Sequence, residues 1–208
     1  MNLDSISNTL RSNLDAKNDS REQGLPLCRK TIRLSANSIR ATHRGDGEEA
    51  QRLLAEGRRL LDQAATAMAG HPDVHHAGFF HDASKEHAEA RLTYALVFDQ
   101  PLPGPEEVGV EAAAYLNGMG EAVGELRRHI LDLLREGDLR RAEKLMNAMD
   151  EIYYLLSTMD YPDAMTGGLR RTTDVARSII ERTRGDLSTT IIQQDLITAL
   201  GEGRRDPA

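Results

Sequence analysis

Apolar residues recur at spacings of three and four through nearly the whole chain, in runs separated by short breaks marked by Gly or Pro. That is the helical period, because side chains three and four apart share one face of an α-helix. Residues 3–23 carry Leu3, Ile6, Leu10 and Leu14 in this register, and Gly24 and Pro26 are expected to interrupt or kink the run. It resumes from Leu27 to about Arg44, with Ile32, Ala36 and Ile39 on one side, and closes at Gly45-Asp46-Gly47. Further runs cover about 48–69, 74–98, 110–135, 139–159, 165–183 and 186–200, and Gly201–Ala208 reads as a frayed tail. The expectation is an all-α protein of about seven helices in an antiparallel bundle, with residues 1–208 in a single domain. Aromatics make up 4% of the chain and Trp is absent, which leaves little of what a β-sandwich spends on its strands.

The formal net charge of −7 provides no global field to attract nucleic acid, so any such site must be a local basic stripe or a shielded cavity. A single cysteine, Cys28, excludes an internal disulfide and a cysteine-based zinc site, and suits a reducing cytoplasm. The opening residues show no basic segment followed by an apolar one, and no stretch approaches the ~18 apolar residues of a membrane span. A soluble cytoplasmic protein is expected.

Two acidic pairs are the main chemical signal. Glu86 and Glu89 are three apart, Glu121 and Glu125 four apart, so each pair projects from one helix face. Like charges at that spacing repel, and the commoner meaning of such pairs is a solvated face with Lys or Arg neighbours. Here Lys85, Arg91, Arg127 and Arg128 are near enough in sequence to serve. Two details point the other way. Ala83, Ala88 and Ala90 surround the first pair, and Gly118, Gly120 and Gly124 surround the second. Each helical Gly costs about 0.5–1 kcal/mol relative to Ala, so that density suggests a helix pressed against another backbone. If the two helices face each other, the four carboxylates converge, and only a cation or a proton makes that tolerable. Carboxylates without Cys or His suit Mg²⁺, Mn²⁺ or Ca²⁺.

Arg29, Arg33, Arg40 and Arg44, with Asn37, form a stripe opposite Ile32, Ala36 and Ile39. Such a row is either a solvated amphipathic face or a set of phosphate contacts. Arg127, Arg128, Arg135, Arg140, Arg141 and Lys144, and then Arg170, Arg171 and Arg177, alternate with acids and read mostly as surface. His71, His75, His76, His81 and His87 crowd one region, but Pro72 breaks the helical register that a His71/His75 zinc pair would need. The Glu-x-x-His motifs of ferritin-like centres, the phosphate loop of common nucleotide hydrolases and the serine elbow are all missing.

Several segments, in order and at matching spacing from about Leu14 to Leu187, resemble the translin/Trax family of single-stranded nucleic-acid-binding proteins. Leu14-Asp15-Ala16-Lys17-Asn18-Asp19 is similar to a Trax-type opening. Cys28-Arg29-Lys30-Thr31-Ile32 through Ser35, Ile39, His43 and Arg44 resembles the first basic helix. Glu86-His87-Ala88-Glu89-Ala90 resembles the Trax Glu-x-x-Glu-Ala segment. Tyr115-Leu116-x-Gly118 with Gly124-Glu125-Leu126-x-Arg128 resembles the most specific block, followed by Gly137-Asp138 and by Leu169-Arg170-Arg171-x-x-Asp174.

The resemblance implies a translin-type helical subunit, an oligomeric shell (often an octamer) and Mg²⁺-dependent endoribonuclease activity. It implies catalytic roles for Glu86, Glu89, Glu121 and Glu125, with Glu86, Glu89 and Glu125 holding Mg²⁺, or Mn²⁺ in its place. Glu121 stands where active members have Asp. Arg29, Arg33, Arg40 and Arg44 would then bind phosphates of single-stranded or short structured RNA, or of single-stranded DNA. The Glu-x-x-Glu pair, absent from translin-type subunits, places the chain nearer the catalytic branch and nearer prokaryotic relatives that assemble alone as homo-oligomers. The competing expectation is a non-catalytic oligomeric binder of single-stranded RNA or DNA.

Overall fold

A 41-residue helix, α1 (Leu3–His43), opens the chain, capped by the Asn2 side chain, which accepts a hydrogen bond from the Ser5 amide. The computed structural model describes residues 2–203. Among them are six long helices, three single-turn helices and no strand. Of the interruption or kink expected at Gly24 and Pro26, the interruption does not occur, and the helix runs on through both residues. Proline removes a backbone donor and crowds the carbonyl one turn earlier, at a cost of about 3 kcal/mol. Here Pro26 and Glu22, whose carbonyl loses its partner, are both solvent-exposed, so water can take over the bond. On the opposite side Gly24 and Cys28 are buried, and packing there keeps α1 in one piece.

Gly45, in left-handed backbone (φ +75°), turns the chain into α2 (Gly47–Met68). The single turn α3 (Pro72–His75) leads to α4 (Gly78–Val97), so the expected 74–98 helix has a separate short preface. The proline-rich loop holds the single turn α5 (Pro105–Val108) before α6 (Ala112–Glu136). Gly137 at φ +81° ends α6, and Asp138 caps α7 (Leu139–Ser157). The single turn α8 (Asp163–Thr166) precedes α9 (Leu169–Gly203).

The two helices expected over 165–183 and 186–200 are therefore one, α9, and it begins four residues later than expected. Gly185 costs only about 1 kcal/mol within a helix. The chain is held across it by Arg127 of α6, which donates to Thr183 Oγ1 at 3.0 Å and pairs with Asp186 at 2.8 Å. Of the tail expected to fray, residues 204–208 lie outside the described residues.

The central helix is α4. Ala88 and Leu92 join the largest core, with Val123, Leu126 and Ile130 of α6, Met149 and Leu156 of α7, and Ile180 of α9. Its other sides meet α1 and α2, where Ala90 and Tyr94 pack on Ile39 and Leu54, and Ala83 packs with Cys28, Leu61 and Met68. A helix covered on so many sides leaves little room for solvent around its polar residues.

The glycines of α6 explain how closely α4 and α6 approach. A Cβ on Gly118 would lie 2.6 Å from the Lys85 carbonyl oxygen and 2.9 Å from the Glu89 amide nitrogen, inside the α4 backbone. One on Gly124 would meet only Ile179 Cδ1 at 3.9 Å. Gly118→Ala is accordingly expected to destabilise the fold by about 1–3 kcal/mol. Gly124→Ala is expected to stabilise it by up to about 1 kcal/mol. Thermal melts of the two variants, moving in opposite directions, check the account of the crossing.

Candidate functional site

The Gly118 crossing lays the acidic face of α4 against that of α6. Carboxylate oxygens of Glu86, Glu89 and Glu121 come within 4.8 Å of one another. Residue spacing places each pair on one helix face, and the structure supplies the distance between the pairs. The set that converges contains Glu121; Glu125, one turn further along α6, is engaged elsewhere.

Lys85 is the cation already present. Its Nζ donates to Glu121 Oε1 at 2.7 Å and lies 3.9 Å from Glu86 Oε1. Partial burial acts to lower its pKa, but the bond to Glu121 and the charges of Glu121, Glu86 and Asp82 outweigh this and raise it. One ammonium does not compensate three carboxylates. Burial raises the Glu86 pKa, assisted by Glu121 and Asp82 against the pull of Lys85. Glu89 lies deepest. Desolvation, followed by repulsion from Glu86, Glu121 and Glu125, pushes its pKa up to about 8. At neutral pH the centre of the cluster is held by a proton.

Glu125 has a different environment. His43, at the end of α1, is buried and places Nε2 2.6 Å from Glu125 Oε2. This hydrogen bond holds the Glu125 pKa below its usual range, with His43 and Arg128 adding attraction. The His129 ring lies 6.1 Å from that of His43, and burial lowers the His129 pKa. Glu125 is thus an ionised carboxylate fixed to α1, near enough to act on Glu89 through its charge.

The acidic centre opens into a cleft of about 630 Å³, lined by Lys85, Glu89 and Glu121 on one side and by His81, Arg171 and Thr172 on another. Buried Asn117 shapes the corner. Its Nδ2 donates to the carbonyls of Ala113 (2.9 Å) and Thr166 (2.7 Å), and its Oδ1 accepts from Thr172 Oγ1 at 2.7 Å. Arg171, expected at the surface from its alternation with acids, is exposed there, and it also lines this cleft. Nothing in the local pattern distinguishes Arg171 from Arg170; the α8–α9 turn, through Gly167 and Gly168 at φ +61° and +84°, aims it.

Arg29, Arg33, Arg40 and Arg44 are exposed along α1 and its C-cap. Arg40 is hydrogen-bonded to Asn37 Oδ1 at 2.8 Å, and none of the four lines the acidic cleft. Of the second basic group, Arg141 and Lys144 are tied to Asp99 and Arg135 to Asp132, in keeping with a surface role.

The donor set of the cluster is wholly carboxylate oxygen, which suits a hard divalent ion such as Mg²⁺ or Mn²⁺. The raised Glu89 supports the fit, since a dication at this point would relieve the repulsion that a proton and Lys85 now share.

No family model matches the chain. An uncharacterised protein of Methanocaldococcus jannaschii, MJ0175, is 30% identical over 189 residues, covering 88% of this chain and 82% of its own length. Among solved structures, AfC3PO in complex with duplex RNA aligns at a TM-score of 0.78 and 32% identity, over 93% of this chain and 98% of that one. Apo-NeC3PO, at 21% identity and a TM-score of 0.79, shares the fold. C3PO is the translin/Trax complex. With AfC3PO matched over almost its full length at that identity, the chain belongs to the translin/Trax family.

Proposed function

We propose that this protein is a metal-dependent endoribonuclease of the translin/Trax type, acting on single-stranded or short structured RNA within an assembly of its own copies. The observation that carries the reading is the convergence of Glu86, Glu89 and Glu121 around a carboxylate with a pKa of about 8. A divalent cation held there supplies charge neutralisation at a phosphodiester and lowers the pKa of a water it binds. Glu86, Glu89 and Glu121 would hold it, and Glu89 would release its proton to do so. Glu125, kept ionised and oriented by His43, would align the attacking water through its charge. Arg171 and Lys85 border the cleft where they can meet phosphate oxygens. The Arg29, Arg33, Arg40 and Arg44 stripe would guide the backbone without reading bases. AfC3PO has been captured with duplex RNA, which supports RNA as the ligand here.

The assembly is supported by two apolar stripes left uncovered by the described residues. Leu3, Ile6, Leu10 and Leu14 of α1 and Ile192, Leu196, Ile197 and Leu200 of α9 are all more than half exposed. Leu10→Asp combined with Leu14→Asp is expected to shift the protein from an oligomer, an octamer by family resemblance, to smaller species. Sedimentation velocity measures it.

The Lys85–Glu121 ion pair favours a second reading, a non-catalytic oligomeric RNA binder in which the ammonium permanently fills the cation's place. Incubating labelled single-stranded RNA with the pure protein separates the two. Cleavage that needs Mg²⁺ or Mn²⁺ and stops with EDTA supports the nuclease. Retention of intact RNA under all conditions supports the binder.

A further inference from the structure

Two of the crowded histidines, His75 and His76, which the acidic cleft leaves unused, converge on a carboxylate of their own. His75 closes the single turn α3, His76 is its C-cap, and Glu111 is the N-cap of α6. One ligand atom from each lies within 4.8 Å of the other two. We propose that His75, His76 and Glu111 form a second metal site, distinct in chemistry from the carboxylate cluster, that takes Zn²⁺.

The arrangement is organised without being satisfied. His75 and His76 meet edge to face, with ring centroids 4.9 Å apart and planes at 83°. Phe80 braces the His75 ring from the other side at 4.5 Å. His76 Nδ1 approaches Glu111 Oε1 to 3.9 Å, too far for a hydrogen bond. Among the described residues no side-chain hydrogen bond engages any of the three. Donors sharing a tetrahedral zinc stand roughly 3.4 Å apart, from Zn–N and Zn–O lengths near 2.0–2.2 Å. The present separations, up to 4.8 Å, exceed that value by little more than ~1 Å.

Ligand softness separates the two sites. Two imidazoles and one carboxylate favour zinc-like ions, whereas the all-carboxylate cluster favours Mg²⁺. Three protein ligands would leave a fourth position open, and the same three residues line a cavity of about 280 Å³ together with Ser84, His81 and Met165. His81 and Gly167 border both this cavity and the acidic cleft, so the two sites are neighbours. No residue of α3 is buried, and a bound zinc would fasten this exposed turn to the start of α6.

The test uses metal-stripped full-length protein carrying Glu89→Gln, so that the carboxylate cluster does not compete, titrated with Zn²⁺ against a chromophoric chelator. One equivalent is expected, unaffected by excess Mg²⁺. His76→Ala and Glu111→Gln, both at exposed positions, are each expected to weaken binding at least tenfold. Co²⁺ in place of Zn²⁺ should give a visible ligand-field band that His75→Ala abolishes. Failure to bind Zn²⁺, or binding unchanged by His76→Ala, overturns the site. Neither result bears on the nuclease reading, because RNA cleavage does not enter the assay.

Discussion

Replacing Glu89 by Gln is expected to make the metal-free protein more stable and to abolish divalent-metal binding at the acidic cluster. The first effect follows from linkage. A carboxyl with a pKa of about 8 in the folded state and an ordinary 4.5 in the unfolded chain binds more protons when folded, so its contribution to stability falls as pH rises. The penalty is absent below about 4.5, grows between there and about 8, and levels off above. At its full extent it is on the order of 5 kcal/mol, and glutamine removes most of it. Each kcal/mol is worth roughly 2–4 °C for a chain of this size. Thermal melts of Glu89→Gln should therefore exceed wild type by roughly ten degrees at pH 9 and converge with it near pH 4.5. Cleavage should fall at least about a thousandfold, to the level seen with EDTA. A variant that is both more stable and inactive marks a residue kept for function at the expense of the fold.

Replacing Lys85 by Gln should do the reverse. Lys85 pairs with Glu121 and approaches Glu86, in the space where a dication would be held, so metal entry has to displace it. Without the ammonium, the metal-free protein loses the counter-charge of three crowded carboxylates. A loss of about 1–2 kcal/mol is expected, allowing for the partial exposure of Glu121. The metal, no longer competing with a fixed positive charge, should bind roughly tenfold more tightly, equivalent to about 1.4 kcal/mol. The Mg²⁺ concentration needed for half-maximal cleavage should fall with it. An unchanged midpoint would mean that Lys85 does not share the metal's position.

Much of this was legible in the residues. The α2, α6 and α7 boundaries fell within one or two residues of the apolar runs, because Gly45, Gly137 and the short polar turns beside them stop helices for local reasons. Of the α6 glycines, Gly118 answers the expected close backbone approach, Gly120 faces the Thr172 and Leu156 side chains, and Gly124 has room for a Cβ. What local chemistry could not give was tertiary support. Pro26 and Gly185 read as breaks, and buried contacts and the Arg127 clamp carry the helix through both. Spacing alone made Glu121 and Glu125 equivalent members of one pair. The crossing at Gly118 sends Glu121 to the cluster, while His43, distant in sequence, claims Glu125. Arg171 is the surface residue its pattern suggests, but its place beside the acidic cleft depends on the α8–α9 turn.

The proton on Glu89 provides the most direct measurement. Mn²⁺ titrated calorimetrically into the metal-free protein at pH 7, in buffers of different ionisation enthalpy, reports both binding and proton release. The account predicts one Mn²⁺ at the cluster with release of nearly one proton. The release should fade above about pH 9, and the binding should be lost in Glu89→Gln. Absence of Mn²⁺ binding, or binding that Glu89→Gln leaves intact, would contradict it.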